Sequence, residues 1–454
     1  MLLILWLWCN VMHNRKYRRI KPTSNSKPQG YQLSLIAFIF LLILTTLVFI
    51  VNQWLNLSGT ILFLSFFNLV ALLLTIWAWK KRELVSIIKI PTMSPKANKL
   101  ARKLRRLFND KQITDVLKLS NATRFGDEMP EVFVYLSDNF DYGFIAIENI
   151  ANYERADREK FEQRVSGMLS GKYQKYAVVS SELTAGDSFI IFYFEDVITS
   201  QRFEIEDNQF LSTLICDNKH AINLSKNLTW NSDITPHMSI IARTRAGKSV
   251  FAGRYMANIM KLQGWTVEYN SAKLDRYVKE FNGESEPIKI VERAEYWCTV
   301  MDTRIEKINN SNKEKYLELD DMPDIAIFFD ELGNLNASLD SIDKVDKKIK
   351  ITSRWINAIN RLSATGASTG IHIIAISQFA TKEGFLPSLA RVNCSDAVIM
   401  LGGAADSADE RKYLMSGFAD MAKRSYGKGQ GIARILGSGK KWETPHFYET
   451  PWFN

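Results

Sequence analysis

Two stretches of the chain are apolar and carry no charge. Leu33–Val51 (LSLIAFIFLLILTTLVFIV) runs for 19 residues, and Thr60–Trp79 for another 20. At the helical rise of ~1.5 Å per residue, each makes a rod of roughly 30 Å, the thickness of a bilayer core. Both therefore read as membrane-spanning helices rather than as a pair of buried core helices. Trp54, Trp77 and Trp79 stand at their ends, where amphipathic rings favour the membrane interface. The connector Asn52–Gly59 is short and uncharged, so the two spans predict a hairpin. Residues 1–9 (MLLILWLWC) are apolar but too short to span, and they precede the basic run, the reverse of signal-peptide order. They read as a segment that dips into the membrane, or as a start-site artefact with Met12 the true start.

Beyond the spans the patterning changes. Leu100, Leu104, Leu107 and Phe108 recur at helical spacing among Lys99, Arg102, Lys103, Arg105 and Arg106. This predicts a helix that either lies on anionic lipid or serves as a solvated linker. From 112 to 225 strand-like runs occur at Glu131–Leu136, Tyr142–Glu148, Tyr176–Ser181 and Ser188–Phe194, with a polar helix over Tyr153–Leu169. They predict a small α+β domain without a catalytic constellation. From 226 to 454 five apolar strands alternate with helices: His237–Ile241, Trp265–Tyr269, Asp324–Phe329, Ile371–Ser377 and Asp396–Leu401. That rhythm predicts an α/β domain with a parallel sheet of the RecA-like P-loop NTPase kind. The expected organisation is thus a basic N-terminus (1–32), the hairpin (33–79), a basic linker (80–111), the α+β domain and the RecA-like domain.

Charge sharpens the membrane reading and weakens an easy alternative. The chain of 454 residues has a formal net charge of +9. Residues 13–28 hold six Lys/Arg and no acid, and residues 80–106 hold ten Lys/Arg and one acid. Those flanks carry +6 and +9, so the remaining chain is 9 − 15 = −6. The basic surplus belongs to the membrane flanks and says nothing about nucleic acid. Arg15, Lys16, Arg18, Arg19 and Lys21 precede the spans, and Lys80, Lys81 and Arg82 follow them. By the positive-inside rule both termini are cytoplasmic, in a multi-pass protein of the cell membrane. Cys9, Cys216, Cys298 and Cys394 lie far apart without a Cys-x-x-Cys, which excludes a disulfide framework or a zinc site and fits a reducing compartment.

The chemistry gathers where strands end. His237–Ile241 runs into Ala242-Arg243-Thr244-Arg245-Ala246-Gly247-Lys248-Ser249, and a helical run, Val250–Gln263, follows. Strand, loop and helix in this order, with the spacing [AG]-x4-G-K-[ST], make a P-loop. Successive backbone N–H groups and the helix N-terminus, from Ala242 to Val250, form an anion nest for the β-phosphate of ATP. Lys248 reaches the β/γ oxygens, Ser249 ligates Mg²⁺, and Gly247 lets the backbone pass close to phosphate. Ala242 stands where the stricter pattern has glycine. The run Asp324–Phe329 ends in Asp330-Glu331, a carboxylate pair of Walker B type. Asp330 is expected to hold Mg²⁺ through water, and Glu331 to orient and deprotonate the attacking water. Ile371–Ser377 ends in Gln378, which senses the γ-phosphate or caps a loop, while His372, in mid-strand, reads as a packed histidine.

A further helix is expected over Lys344–Leu362, opened by Asp343 as N-cap. Val345, Ile349, Thr352, Ile356 and Ile359 gather on one face, and Lys347, Lys350, Arg354, Asn357 and Arg361 on the other. The basic ridge is either a solvated face or a track for DNA phosphates.

Read in series, these residues resemble the FtsK/SpoIIIE group of DNA translocases, and more closely the FtsK-like coupling proteins of TcpA type from Gram-positive conjugative elements. The resemblance spans roughly Ser239–Ile435. It is carried by ARTRAGKSV (242–250), Asn270-Ser271-Ala272-Lys273, FFDELGNL (328–335), ATGASTGIHIIAISQ (364–378), Arg391-Val392-Asn393, Asp406-Ser407 and Gly427-Lys428-Gly429-Gln430-Gly431. It implies a membrane-anchored homohexameric ring that passes DNA through its centre beside a secretion channel, with a relaxase–DNA complex as cargo. Two departures stand out. Ser271-Ala272-Lys273 replaces the family's frequent Asp-Pro-Lys, and the family's arginine finger falls near Ala397, which leaves Arg391 as the nearest candidate. A chromosome-segregation motor, a protein-secretion ATPase of the same superfamily and a membrane scaffold with a degenerate, binding-only nucleotide site remain alternatives.

Overall fold

Fully apolar strands separated by helices need cover on both faces, and a parallel sheet between helical layers supplies it. In a computed structural model of the chain, the expected strands assemble in this way. The structure describes residues 30–52, 54–55, 57–80, 88, 90–108, 117, 121–123, 126–128, 130–149, 158–169, 173–381, 383–419, 421 and 424–454. The basic run before the first span, residues 81–87 after the second and the expected helix start at 153–157 lie outside them. Two compact units are present, Met1–Asp157 with Glu182–Phe192, and Arg158–Ser181 with Tyr193–Asn454.

In the first unit the apolar stretches form helices Gly30–Val51 and Ser58–Lys80, which pack on each other. The membrane-length segments within them are Leu33–Val51 and Ser58–Ala78. Asn68 ties the pair together, its amide donating to the Thr45 hydroxyl at 2.6 Å and to the Leu41 carbonyl at 3.4 Å on the facing helix. A polar side chain inside an apolar hairpin finds its partner on the facing helix, which fixes the register of the two. The basic helix forms over Pro95–Leu107, with Ser94 as N-cap. Ala97, Ala101 and Leu104 are buried, and the helix packs on strand Val132–Leu136, so its apolar stripe is covered by protein rather than by lipid. Val132–Leu136 and Tyr142–Glu148 pair antiparallel. The remaining elements expected in the middle segment are present as helix Arg158–Leu169 and strands Tyr176–Leu183 and Phe189–Asp196.

The second unit holds the large sheet, whose strands in chain order are β1 (Met238–Ala242), β2 (Thr266–Ser271), β3 (Ile325–Asp330), β4 (Ile371–Ser377), β5 (Ala397–Leu401), β6 (Gln430–Ile435) and β7 (His446–Glu449). Their spatial order is β2-β3-β4-β1-β5-β6-β7. The first five are parallel, and β6 and β7 add an antiparallel edge that apolar periodicity did not mark. A strand inserted between the P-loop strand β1 and the carboxylate strand β3 is the RecA-like arrangement. Alternate residues feed two cores. Ile240, Phe328, Ile374 and Ile399 meet Phe251, Tyr255 and Met256 on one side. Ile241, Phe329, Ala375 and Met400 meet α1 (Pro287–Asn310), α2 (Leu332–Val345) and α3 (Ile351–Thr369) on the other. His372 is a packed histidine, as its mid-strand place implied. It is fully buried and bonds Asp324 at 2.8 Å and the Pro236 carbonyl at 2.7 Å.

The basic ridge does not form. The chain breaks between α2 and α3, so the helix expected from 344 begins only at Ile351. Asp343 does cap it, accepting from the Ile351 and Thr352 amides across the turn at 2.7 and 3.0 Å. Lys350 enters α3 in the left-handed region, φ 48°. With the start displaced, the buried stripe becomes Ile351, Trp355, Ala358, Ile359 and Leu362, and Val345 is left 91% exposed. Arg354 and Arg361 face α1, where they bond Glu295 (2.6 and 2.8 Å) and Asp302 (2.7 Å). Lys344, Lys347, Lys348 and Lys350 crowd the exposed turn instead, and none makes an ion pair among the described residues.

Candidate active site

The site lies where β1, β3 and β4 end at one edge of the sheet. Parallel strands present their carboxyl ends together, so residues distant in sequence converge there. After Ala242, the last and fully buried residue of β1, the chain turns through Arg243–Gly247. Arg245 and Gly247 take positive φ, 68° and 102°, and glycine suits the second because L side chains rarely adopt so large a positive φ. Gly429 braces the loop, its amide donating to the Ala246 carbonyl at 2.9 Å. Ser249 leads into Val250–Ala257, a turn pair wound as a π-helix that continues as Asn258–Leu262. π-Bulges of this kind recur at functional sites.

Lys248 sits between both carboxylates of the strand β3 end. Its ammonium lies 2.9 Å from Asp330 Oδ1 and 2.7 Å from Glu331 Oε1. The three side chains are 9, 3 and 12% exposed. Asp330 also accepts the Tyr269 hydroxyl on Oδ2 at 2.9 Å and the Glu331 amide on Oδ1 at 2.7 Å. Glu331 holds a left-handed backbone, φ 55°, a conformation that costs a non-glycine residue of order 1–3 kcal/mol and concentrates at functional sites. Its second oxygen accepts from Gln378 at 3.2 Å, and Gln378 accepts from the Thr244 hydroxyl at 3.1 Å. A chain of hydrogen bonds thus runs from the P-loop through Gln378 and Glu331 to Lys248.

Burial and pairing set the charges. Burial pushes the Asp330 carboxyl above its ordinary range, against the opposing pull of Lys248. Burial also acts to raise Glu331, but the hydrogen bond and charge of Lys248, with help from Gln378 and Lys273, prevail and hold it below. Burial works against the Lys248 ammonium, and the two carboxylates hold it above its ordinary value. The result is an ionised Glu331 and a cation beside it, the charges that a water-activating base and a phosphate ligand require.

Other expected site residues separate. Arg243 turns to Glu410 at 2.8 Å and stacks over Phe379 at 4.3 Å, so it gives the nest its backbone rather than its charge. Arg391 lies on helix Ser388–Asn393 with its guanidinium 5.2 Å from the Tyr413 ring, and touches none of Lys248, Asp330 or Glu331 among the described residues. Sequence reasoning missed Tyr269. The only signal was a polar-tipped aromatic inside a buried strand, beside Asn270. No group of three His, Cys, Asp or Glu side chains stands close enough to hold a metal among the described residues. Ser249 and Asp330 are hard oxygen donors, which suits Mg²⁺, an ion commonly bound by one or two protein oxygens together with substrate phosphates.

No family model matches the chain, and no curated protein matches it. Solved structures similar to it include the pCW3 conjugation coupling protein TcpA in its monomer form with ATPγS. That likeness covers 76% of this chain and 94% of that one, at 14% identity and a TM-score of 0.47. The cytoplasmic domain of the Thermomonospora curvata type VII secretion ATPase EccC is similar over 54% of this chain and 31% of its own, at 16% identity and a TM-score of 0.38. ATPases 2 and 3 of EssC from Geobacillus thermodenitrificans are similar over 56% of this chain and 47% of theirs, at 10% identity and a TM-score of 0.39. The chain spans less than half the length of these two.

Proposed function

We propose that the chain is a membrane-anchored ATPase that translocates DNA as a homohexameric ring, the coupling protein that hands a relaxase–DNA complex to a conjugative secretion channel. One observation carries the ATPase part, the Lys248 ammonium held between Asp330 and Glu331 at the mouth of the P-loop. Lys248 would move onto the β/γ oxygens when nucleotide arrives. Glu331 would then take a proton from water, with Gln378 fixing its orientation and reporting to Thr244. Ser249 and Asp330 would hold Mg²⁺, which supplies positive charge to the phosphates.

DNA as the substrate is supported by the residue-by-residue resemblance to FtsK-like translocases over 239–435. Electrostatically it fits the Lys344–Lys350 turn, whose four lysines are exposed. Asp343 and Asp346 in the same turn are occupied in capping backbone amides. Detergent-solubilised full-length protein should form hexamers with duplex DNA and an ATP analogue, and should hydrolyse ATP faster when DNA is added. Reversing Lys347, Lys348 and Lys350 to Glu should weaken DNA binding. It should also flatten the salt dependence of that binding, by about 0.9 in log–log slope for each phosphate no longer neutralised. A monomer whose turnover ignores DNA overturns the DNA reading and favours a protein-secretion ATPase of the same superfamily.

The anchor follows from the two uncharged helices and from Lys/Arg on both outer flanks. A reporter fused in the 52–59 connector should read as external and one at the C-terminus as internal. The reverse pattern would put the P-loop out of reach of ATP.

A further inference from the structure

The two oxygens of Asp330 have different neighbours. Oδ1 meets the P-loop through the Lys248 ammonium at 2.9 Å, and it also accepts the Glu331 amide at 2.7 Å. Oδ2 accepts the Tyr269 hydroxyl at 2.9 Å and no other donor among the described residues. Strand order brings that hydroxyl in. β2, which carries Tyr269, flanks β3 on the side away from β4 and β1. The two strands pair with Tyr269 beside Phe328 and Ser271 beside Asp330. Residues two apart on a strand share a face, so the ring starts one step short of Asp330 on the same side of the sheet. Its length covers the step.

Tyr269 is built as a rigid donor. The side chain is fully buried. Its ring stacks on Phe328, 5.1 Å between centroids and 20° between planes, and packs against Tyr277 at 5.7 Å. Tyr277 in turn fills the space over Gly253, where a Cβ would collide with its ring. The helix that follows the P-loop therefore backs the same stack. Burial, and after it the charge of Asp330, raises the phenol well above its ordinary value, so the hydroxyl keeps its proton and donates.

The movement of Lys248 gives this hydrogen bond a task. When Lys248 leaves for phosphate, Oδ1 loses its cation and retains only the Glu331 amide. A carboxylate held at one oxygen can swing about its Cβ–Cγ bond. Held at both, it stays in place, with room on Oδ1 where the ammonium stood. Hydrogen bonds to metal-binding carboxylates orient them in this way.

We propose that Tyr269 is a positioning residue for the metal side of the site, holding Asp330 in the orientation that receives Mg²⁺ together with nucleotide. The proposal rests on the P-loop reading above and assigns a role to a side chain that acts through Asp330 rather than on the nucleotide.

Titration calorimetry on the detergent-solubilised full chain with ATPγS, once with Mg²⁺ and once with excess EDTA, tests this. The ratio of the two affinities is the gain due to the metal. Tyr269→Phe keeps the ring and its stack and removes only the hydroxyl. Its affinity in EDTA should be parental, which also reports an intact fold, and its gain should fall about tenfold, the lower end of the loss expected for such a hydrogen bond. In Asp330→Asn, adding Tyr269→Phe should cause no further loss of gain, because its effect passes through that carboxylate. A parental gain in Tyr269→Phe overturns the proposal. So do equal losses with and without Mg²⁺, which would mark a packing role, and losses that add in the double variant. A parent whose affinity ignores Mg²⁺ overturns it as well. A parent that binds ATPγS under neither condition refutes the P-loop reading itself, a different failure.

Discussion

Glu331→Gln is expected to bind ATP with nearly parental affinity and to hydrolyse it roughly 10²–10⁴-fold more slowly, the usual worth of a positioned general base. The amide keeps one carbonyl oxygen, enough to go on accepting from Lys248, so the ammonium stays in place for phosphate. What disappears is the proton acceptor. Gln378 meanwhile loses its acceptor on Glu331 Oε2, because two amide N–H₂ groups then face each other. Turning the Gln378 amide repairs that contact, since the Thr244 hydroxyl, which now donates, accepts from the turned amide instead. The bridge from Glu331 to the P-loop therefore survives with its direction reversed, and the fall in turnover reports the missing base. Gln378→Ala, which keeps the base and removes the bridge, should slow turnover less than Glu331→Gln does. Single-turnover hydrolysis beside equilibrium ATP binding measures both effects. Parental turnover in Glu331→Gln would move the base elsewhere.

The large sheet and the convergence of Lys248, Asp330, Glu331 and Gln378 were legible because each is a local signal. A buried parallel strand is an apolar run, and its C-terminal end is where polar residues resume. Five strands were found within one or two residues of their places by this rule alone. The edge strands β6 and β7 were not, since Gln430–Ile435 and His446–Glu449 mix polar and apolar residues and owe their strand form to pairing, β6 with β5 and β7 with β6. Helix α3 failed for the opposite reason. A 3.6-residue period carried Lys344 through Leu362 without a visible break, but Asp343 spends its capping oxygens on Ile351 and Thr352, and the intervening turn resets the phase. Arg354 and Arg361 then find acids on α1, some 59 residues away in sequence, a pairing that no local pattern encodes. The same holds for Tyr269 at Asp330 and for Gly429 beneath Ala246. Contacts that complete the site come from across the sheet, and only the fold brings them in.

Lys248→Ala is expected to do two things at once. Nucleotide affinity should fall by roughly a hundredfold or more, in line with the 2–5 kcal/mol lost when one partner of a buried charge pair is removed. The empty protein should also be destabilised, on the order of 3–5 kcal/mol, because two neighbouring carboxylates lose the cation that they enclose. This second effect carries a pH signature. In the parent, Lys248 depresses Glu331, so the contribution of that carboxylate is present above its ordinary range and is lost as pH falls. Without Lys248, burial acts on Asp330, which is already raised, against only the Tyr269 hydrogen bond, and Glu331 loses its main support. Groups raised in this way destabilise the folded protein when ionised, and they recover as acidification neutralises them. The stability gap between parent and Lys248→Ala should therefore be widest near neutral pH and should close as the pH falls through the raised carboxyl values. Thermal melts of both proteins in detergent, without nucleotide, from neutral pH down toward the carboxylate range test this. Lys248→Met, which fills the space without the charge, should show the same trend and separate charge from cavity. A gap that stays constant with pH would mean that Lys248 stabilises by packing, and that its place between Asp330 and Glu331 has no electrostatic role.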